Sequence, residues 1–243
     1  MAVIYEPKGR ALEYSALACN LYLGCTHGCK YCFAPSCMRK TPNQWHADAN
    51  PRKDIIQSFE KEARKLADTG EKRPILFCFL SDPYQPEEKK YRLTHQTLSI
   101  VAKYGLKSKI LTKGHADIIE PDLTLMKQAG TELGITLSFS NDASRQEWEP
   151  CAACVEERIE TLKKAHAMGI RTWVSMEPVI IPEEALELLE TLAPFVDHWK
   201  IGKLNHFPDV EKRVDWISFR EKAKSILDSQ GASYYLKKSL TEL

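Results

Sequence analysis

Three cysteines lie close together near the N-terminus, in the segment GCTHGCKYC at residues 24–32. The thiolates of Cys25, Cys29 and Cys32 suit a zinc ion or an iron–sulfur cluster, whereas hard cations prefer oxygen ligands. A structural zinc site closes all four of its positions, and this spacing supplies no regular fourth ligand. The candidates for a fourth zinc ligand are His27, Cys37 and His46.

An iron–sulfur cluster held by three cysteines has a different requirement, because one iron keeps an open position for a substrate or cofactor. Gly24 and Gly28 favour such a cluster, since glycine lets the backbone pass close to a bulky inorganic group. Free thiols, either inert or reactive, are the third alternative. The sequence therefore favours a cluster with one open iron over zinc and over free thiols.

The elements that must position these cysteines alternate between strands and helices. Most strands are continuous apolar runs, typical of a parallel sheet that is covered on both faces. The predicted strands are residues 19–23, 75–80, 108–112, 134–139, 171–176 and 198–202. Amphipathic helices are predicted over 55–66 and 155–162, and after Pro182 and Asp215. Six such units predict an α/β fold, a partial (β/α)6 TIM-like barrel of parallel strands with the helices outside.

Polar segments follow the predicted strands, at the point where each strand ends. They are the cysteine segment, SDPYQPEE, TKGH, SNDAS, EPVI and GKLNH. Because the carboxyl ends of parallel strands gather on one side of a barrel, we expect an active site there. Residues 1–243 are interpreted as one domain, with an N-terminal arm (1–17) and a C-terminal tail (232–243) that closes the barrel. Residues 33–50 are predicted to form a long irregular loop.

The charge balance and the distribution of apolar residues narrow the class of protein. Lys and Arg number 34 against 33 Asp and Glu, which disfavours a broad nucleic-acid-coating surface but leaves room for a local basic pocket. The N-terminus lacks the apolar run of a signal peptide, and no stretch is long enough to span a bilayer. We therefore expect a cytoplasmic protein with no membrane partner, whose eight cysteines do not form a disulfide framework.

The motif CTHGCKYC resembles the CxxxCxΦC pattern of the radical S-adenosylmethionine (SAM) superfamily, with Tyr31 as the aromatic residue. Other segments resemble its spore photoproduct lyase-like subgroup: YEPKGRALEYS, SDPYQPEE, LTKG and WEPCAACVEERIETLKKAHAMGI. The resemblance implies a [4Fe-4S] cluster on Cys25, Cys29 and Cys32 whose open iron binds SAM. One electron from the cluster would then cleave SAM to methionine and a 5′-deoxyadenosyl radical. It also implies an external electron donor of the flavodoxin or ferredoxin type.

The same resemblance implies contacts between individual residues and SAM. Tyr31 and the backbone of Phe33 would lie against the adenine, as would the backbone around Glu177. Lys113 would reach the carboxylate or the ribose of SAM, and Ser138 would contact the ribose. These residues lie on or after four different predicted strands.

The segment after the second strand both matches the subgroup and departs from it. Ser81 and Asp82 would bind the methionine amino group, where a carboxylate suits an ammonium. The subgroup has a hydrogen-donating cysteine two residues before this pair, and here that position is Phe79. Cys78 would face the opposite side of the strand as a buried thiol. Lysis of the spore thymine dimer is therefore not assigned, and Tyr84 becomes the candidate catalytic residue for hydrogen-atom relay.

Basic residues follow several of the predicted strands and could receive a phosphate-bearing substrate. They are Arg39, Lys40, His115, Arg145, Lys203, His206 and Lys237. We therefore favour a nucleic-acid or nucleotide-like substrate. The alternatives are the same radical chemistry on a peptide or small metabolite, and a non-catalytic zinc-stabilised binding module. The CxxC pair Cys151 and Cys154 is predicted to consist of free thiols.

The cluster assignment can be tested by cysteine substitution. Replacing any one of Cys25, Cys29 or Cys32 with Ala should abolish the [4Fe-4S] centre and SAM cleavage. Replacing the other cysteines together should leave about four irons per chain, because three thiolates suffice for this type of cluster. Those other cysteines are Cys19, Cys37, Cys78, Cys151 and Cys154. Iron and sulfide analysis after anaerobic reconstitution measures the cluster content of the single variants and of the fivefold variant. Loss of all iron from the fivefold variant would contradict the assignment.

Overall fold

The structure is a computed structural model that describes residues 2–243. Within these residues the chain forms a sheet of eight strands and a separate pair of short strands. The strands are β1 (Ile4–Tyr5), β2 (Leu17–Cys19), β3 (Tyr22–Leu23), β4 (Asn50–Pro51), β5 (Ile75–Phe77), β6 (Ser108–Thr112), β7 (Glu132–Thr136), β8 (Thr172–Val179), β9 (His198–Lys203) and β10 (Tyr234–Leu236).

The large sheet runs in the order β1-β2-β5-β6-β7-β8-β9-β10. Strand β1 pairs antiparallel with β2, and every other neighbouring pair in this sheet is parallel. The edge strands β1 and β10 do not pair with each other, so the sheet curves around without closing. The predicted α/β class and the partial barrel of parallel strands are therefore confirmed.

Helices connect successive parallel strands and cover the outside of the sheet. They are α1 (Ala34–Cys37), α2 (Pro42–His46), α3 (Ile55–Asp68), α4 (Glu88–Tyr91), α5 (Leu93–Tyr104), α6 (Ala116–Ile119), α7 (Leu123–Ala129), α8 (Asp142–Trp148), α9 (Val155–Ala167), α10 (Pro182–Leu192), α11 (Pro208–Glu211), α12 (Trp216–Ser229) and α13 (Lys238–Thr241). Short 3-10 helices occupy 9–13, 120–122 and 193–195. No helix in the described chain is both long and apolar enough to cross a bilayer.

The four helices predicted from periodicity are present as α3, α9, α10 and α12. In α10 the predicted apolar stripe is buried, from Ala185 to Leu192. Helix α12 begins where the sequence places it, since the carboxylate of Asp215 accepts a hydrogen bond from the backbone N–H of Ser218 at 2.9 Å. That bond satisfies one of the N–H groups that a helix start leaves without a partner.

The predicted strand 19–23 is wrong as one element, because the chain leaves the large sheet after Cys19. The side chain of Asn20 accepts hydrogen bonds from the backbone N–H groups of Phe79 and Leu80, both at 2.9 Å. These contacts replace strand pairing, and the chain resumes as β3, which pairs with β4. For the same reason β5 ends at Phe77 rather than at residue 80. The other four predicted strands lie within three residues of the observed bounds.

The prediction of an irregular loop over 33–50 is also wrong in part. Helices α1 and α2 lie within it, and Thr41 and Gln44 form a reciprocal capping box at the start of α2. Trp45 anchors this helix, since its side chain is fully buried. The sequence signal for α2 is therefore local, a Thr-Pro-x-Gln start followed by one buried aromatic residue.

The cap of α12 gives a prediction on stability. Replacing Asp215 with Ala should lower the free energy of unfolding by about 1 kcal/mol, because the N–H of Ser218 loses its acceptor. Replacing Ser218 with Ala is the matched control, since its backbone donates the bond and its side chain does not. Urea denaturation followed by circular dichroism measures both. Equal losses in the two variants would show that the cap does not stabilise the helix.

Candidate active site

A cavity of about 400 Å³ opens at the carboxyl ends of the strands. This volume lies in the range typical of small-molecule sites. Its lining brings together residues from both ends of the chain and from every parallel strand between β5 and β9. Predicted site residues that line it are Cys25, Cys29, Tyr31, Cys32, Phe33, Ser81, Asp82, Lys113, Glu177, Lys203, His206 and Lys237.

The cysteine loop is shaped by the segment around α2. Gly24 has a φ of +98°, and a Cβ there would lie 2.0 Å from the carbonyl oxygen of Asp48. The close approach that requires glycine is therefore to protein backbone. On the other side of this residue, the N–H of Cys25 donates to the carbonyl of Trp45 at 3.3 Å, and the Nδ1 of His46 lies 2.8 Å from the carbonyl of Cys25.

All three loop thiols reach the cavity. Cys25 and Cys29 are each 9% exposed, and burial raises the pKa of the Cys29 thiol to about 12 and also raises the pKa of Cys25. Buried thiols of this kind become thiolates when a metal cation binds them. No three Cys, His, Asp or Glu side chains within residues 2–243 come together around one metal ion. Three thiols that reach one cavity suit a cluster in which each thiolate binds a separate iron.

A buried ion pair lies beneath the loop. Arg158 and Glu149 are 1% and 0% exposed, and their charged atoms lie 2.6 Å apart. Burial alone would raise the pKa of Glu149, but the positive charges of Arg158 and Lys113 hold it below its usual value. The hydroxyl of Tyr31 donates a hydrogen bond to the same carboxylate. The aromatic residue of the cysteine motif is thus attached to helix α9, on which Arg158 lies.

Lys113 follows β6 and faces the same region. Its ammonium lies 5.5 Å from the centre of the Tyr31 ring. Burial disfavours the charge, but the acidic groups of Cys29, Glu149 and Asp82 outweigh it and raise the pKa of Lys113. Lys113 therefore stays cationic in the cavity wall, which suits the predicted contact with an anionic group of SAM.

The carboxylate of Asp82 is already engaged by groups of the protein. Its carboxylate accepts hydrogen bonds from the N–H of Tyr84 at 2.8 Å, the hydroxyl of Thr112 at 2.6 Å and the N–H of Lys113 at 2.7 Å. The Nε2 of His27 lies 3.2 Å away. Although burial opposes ionisation, His27 and these hydrogen bonds lower the pKa of Asp82 to about 2. Asp82 thus organises three loops, and its predicted contact with SAM stays a prediction.

The neighbouring Ser81 is different, because it lines the cavity while its buried hydroxyl has no hydrogen-bond partner of ordinary geometry. It lies beside the thiol of Cys78, which is at best a weak partner. A buried hydroxyl of this kind costs free energy unless a ligand satisfies it. Ser138 also carries an unpartnered hydroxyl, but it does not line the cavity, which Thr136 reaches instead.

Cys78 and Phe79 both reach the cavity, contrary to the expected alternation. The alternation does not apply because β5 ends at Phe77. Cys78 is still a buried thiol, 5% exposed, and burial raises its pKa well above the usual value.

The far side of the cavity is closed by the two ends of the chain. Lys237 lies 2.5 Å from the carboxylate of Glu177 and 3.5 Å from that of Glu13. The hydroxyl of Tyr14 donates to Glu177 and lies 2.9 Å from that of Ser175. A Cβ at Gly202 would lie 2.8 Å from Glu177. Glycine on β9 therefore leaves the space in which the arm and the tail meet β8.

Three predicted residues are not placed at the cavity, and each correction has a physical reason. Tyr84 is fully buried, and its hydroxyl donates to Asp122 at 3.0 Å in the core beside α7. Ser138 packs below the lining. Arg39 is exposed on the turn after α1, away from the cavity. The expectation that Tyr84 stands at the mouth for hydrogen relay is therefore wrong.

Three further basic residues expected at the mouth are engaged elsewhere, among them Lys40, whose ammonium lies 5.8 Å from the centre of the Trp45 ring. Arg145 is 7% exposed, pairs with Asp142 at 2.6 Å and donates to the carbonyls of 149, 150 and 152. His115 lies 3.1 Å from Glu157. All eight cysteines are free in the structure, including Cys151 and Cys154.

Sequence reasoning missed Arg10, Tyr14 and Asn205, which also line the cavity. Arg10 donates to the side-chain oxygen of Asn205 at 3.1 Å. The first two residues belong to the segment before the first predicted strand, so strand ends gave no signal for them. The YEPKGRALEYS segment, in which both lie, was the available signal.

The family model of the Radical SAM superfamily matches residues 19–195, more than half of the chain. The chain belongs to the radical SAM superfamily. The match includes the cysteine loop, α9 and strands β3 to β8. Enzymes of this superfamily use a [4Fe-4S] cluster and SAM. Membership favours a cluster over a zinc ion at the three cysteines.

Relatives extend the similarity but give no activity. The uncharacterized protein MJ0683 of Methanocaldococcus jannaschii is 28% identical over 66% of this chain and 59% of its own length. The uncharacterized protein Rv2578c of Mycobacterium tuberculosis is 24% identical over 72% of this chain and 52% of its own length. This radical SAM chain therefore spans between half and three-fifths of the length of these relatives.

Solved structures share the fold. Spore photoproduct lyase complexed with dinucleoside spore photoproduct has a TM-score of 0.71 over 96% of this chain and 80% of that chain, at 14% identity. SuiB of Streptococcus suis bound to S-adenosylmethionine has a TM-score of 0.64 over 91% of this chain and 51% of that chain, at 12% identity. These likenesses show that the radical SAM chain has the predicted subgroup's fold.

The ion pair beneath the cysteine loop gives a second prediction on stability. Replacing Arg158 with Met should lower the free energy of unfolding by about 3–5 kcal/mol, because Glu149 is left buried without its cation. The double variant Glu149→Gln/Arg158→Met should lose less than the single one, since neither member of the pair is left with an unpaired charge. Urea denaturation of the cluster-free protein measures both.

The matched control is Lys163→Met, which breaks a pair whose carboxylate, on Glu160, is 66% exposed. Exposed pairs contribute less than about 1 kcal/mol. If Arg158→Met were no more destabilising than this control, the buried pair would not support the loop.

Proposed function

We propose that this chain is a radical SAM enzyme that reductively cleaves SAM at a [4Fe-4S] cluster and acts on a nucleic-acid or nucleotide-like substrate. The observation that carries the proposal is that the three loop cysteines, two of them buried, and Ser81, whose hydroxyl has no hydrogen-bond partner, line a single cavity at the carboxyl ends of parallel strands. Family membership supports the first part. The substrate rests on the chemistry of the lining.

The cofactor roles are assigned by position in the cavity. Cys25, Cys29 and Cys32 would hold the cluster, which with SAM supplies a one-electron cleavage that yields methionine and a 5′-deoxyadenosyl radical. Ser81 would accept or donate a hydrogen bond to the methionine part of SAM, and Lys113 would pair with its carboxylate or contact its ribose.

Other lining residues shape the site around these groups. The backbone of Phe33 would lie against the adenine, which leaves its ring, 53% exposed, for the substrate. The backbone near Glu177 also lines the cavity, and the Glu177 side chain is engaged by Tyr14 and Lys237. Asp82 keeps the loops that carry Ser81 and Lys113 in register.

Basic and aromatic groups together favour a nucleotide-like substrate. Arg10, Lys203 and His206 line the rim of the cavity. Cations beside an exposed aromatic ring are typical of sites that bind single-stranded nucleic acid. The structural neighbour complexed with a dinucleoside spore photoproduct has the same fold, which supports this choice over a peptide or small metabolite. An external electron donor of the flavodoxin or ferredoxin type would reduce the cluster, and we place the enzyme in the cytoplasm, where its free thiols stay reduced.

Anaerobic incubation of the reconstituted protein with SAM and a reductant tests the proposal. We expect 5′-deoxyadenosine, measured by liquid chromatography. The Cys29→Ala variant should form none, because one iron loses its protein ligand. Absence of 5′-deoxyadenosine from wild-type protein that holds about four irons would overturn the proposed chemistry.

The unpartnered hydroxyl of Ser81 gives a sharper prediction. Replacing Ser81 with Ala should weaken SAM binding about fivefold, which corresponds to about 1 kcal/mol for one hydrogen bond. Stability of the cluster-free protein should stay unchanged or rise, since the hydroxyl has no protein partner. Isothermal titration of the reconstituted protein with SAM gives the affinity. Ser138→Ala is the matched control, because its equally unpartnered hydroxyl lies outside the cavity. A larger loss of SAM affinity in Ser138→Ala than in Ser81→Ala would instead support the contact between Ser138 and the ribose that the resemblance implies.

A further inference from the structure

The rim of the cavity carries positive charge that the protein only partly neutralises. Arg10 comes from the 3-10 helix at 9–13, whereas Lys203 and His206 come from the end of β9 and the turn that follows. Within residues 2–243, neither Arg10 nor His206 forms an ion pair with a carboxylate, and Arg10 binds the neutral amide of Asn205 at 3.1 Å. The guanidinium of Arg10 therefore faces the opening without a counter-ion, beside the imidazole of His206.

The carboxylate of Glu211 is the acidic group that faces this region. It lies 3.3 Å from the ammonium of Lys203 and accepts the N–H of Phe207 at 2.9 Å, and it also lies near His206. Because Glu211 is shared between a cation and a backbone donor, it offsets Lys203 and leaves Arg10 uncompensated. The net charge of the rim is therefore positive.

The backbone holds these side chains in place. His206 has a φ of +70°, a conformation that residues other than glycine rarely adopt. The turn is fixed on one side by the amide of Asn205, which donates to the carbonyl of Lys203 at 2.9 Å. On the other side the ring of Phe207 packs edge-on against Trp148, with centroids 5.6 Å apart. A fixed turn directs His206 toward the cavity, and the hydrogen bond from Arg10 to Asn205 brings the arm to the same place.

We propose that Arg10, Lys203 and His206 form a phosphate subsite that holds a backbone phosphate of a nucleotide substrate. The inference rests on the proposed function, since it names how the substrate of that site is held. The planar, forked donors of an arginine match the oxygens of a phosphate, and a second cation adds to the attraction. The exposed ring of Phe33 lies in the same cavity and can stack on a base.

The subsite is separate from the region assigned to the carboxylate of SAM. Lys113 follows β6 and lies against Tyr31 of the cysteine loop, whereas the subsite lies on β9 and the N-terminal arm. The substrate phosphate would thus be held at a different place on the cavity lining from Lys113. A nucleotide attached there would extend toward the thiols, where the radical forms.

The test is the binding of a short fluorescein-labelled single-stranded DNA to reconstituted protein with saturating SAM, followed by fluorescence anisotropy. Arg10→Ala should weaken binding about tenfold, as expected for loss of a charge-assisted hydrogen bond. The slope of log K against log salt should also become smaller by about 0.7 for one lost phosphate contact on a single strand. His206→Asn, which tolerates a positive φ, should weaken binding by a smaller factor.

Arg64→Ala is the matched control, because it removes an exposed arginine on α3 outside the cavity. It should change neither the affinity nor the salt slope. Equal effects of Arg10→Ala and Arg64→Ala, or no DNA binding by the wild-type protein, would overturn the subsite. Circular dichroism of each variant shows whether it is folded.

Competition distinguishes phosphate from carboxylate. Inorganic phosphate should displace the labelled DNA from the wild-type protein at lower concentration than acetate does, and Arg10→Ala should remove this difference. Equal competition by acetate would overturn the assignment to phosphate. Formation of 5′-deoxyadenosine without DNA binding would reject the subsite and leave the radical chemistry intact. DNA binding without formation of 5′-deoxyadenosine would support the subsite and reject the radical chemistry.

Discussion

The carboxylate of Asp82 joins the three loops on which the candidate site depends. It accepts hydrogen bonds from Tyr84, Thr112 and Lys113, and it faces His27 between two of the cluster cysteines. These donors come from the ends of β5 and β6 and from the cysteine loop. Because the carboxylate is buried, each hydrogen bond is stronger than it would be in water. One ionised side chain therefore sets the relative positions of the thiols, Ser81 and Lys113.

A second polar anchor supports the cysteine loop from below. Tyr31 donates to Glu149, which pairs with Arg158 on α9. Arg158 in turn donates to the carbonyl of Thr136 at the end of β7. The loop is thus attached both to the strands on one side of it and to a helix on the other. Such buried networks make one geometry much more favourable than its alternatives, since a partial set of partners would leave charges unpaired.

The local parts of the site were predictable because their signals are local. The spacing of Cys25, Cys29 and Cys32 identified the loop, and the apolar runs placed most of the parallel strands. Polar residues after those strands line the cavity because carboxyl ends of parallel strands lie together. Tyr84 was misplaced for a physical reason. Its position after β5 predicts a place at the mouth of the cavity. Its hydroxyl instead donates a hydrogen bond to Asp122 in the core, and burial of the ring with that partner is more favourable than exposure.

The sequence by itself determined the class of chemistry, since three thiols at fixed spacing on one short loop need no distant residue to be recognised. It also determined the order of strands and helices through apolar periodicity. Only the tertiary structure decided which distant groups meet, such as Glu149 with Tyr31 and Arg10 with Asn205. These contacts join residues up to 195 positions apart. Pairing at such separations depends on how the sheet curves and on where both ends of the chain pack, which no local pattern of residues encodes.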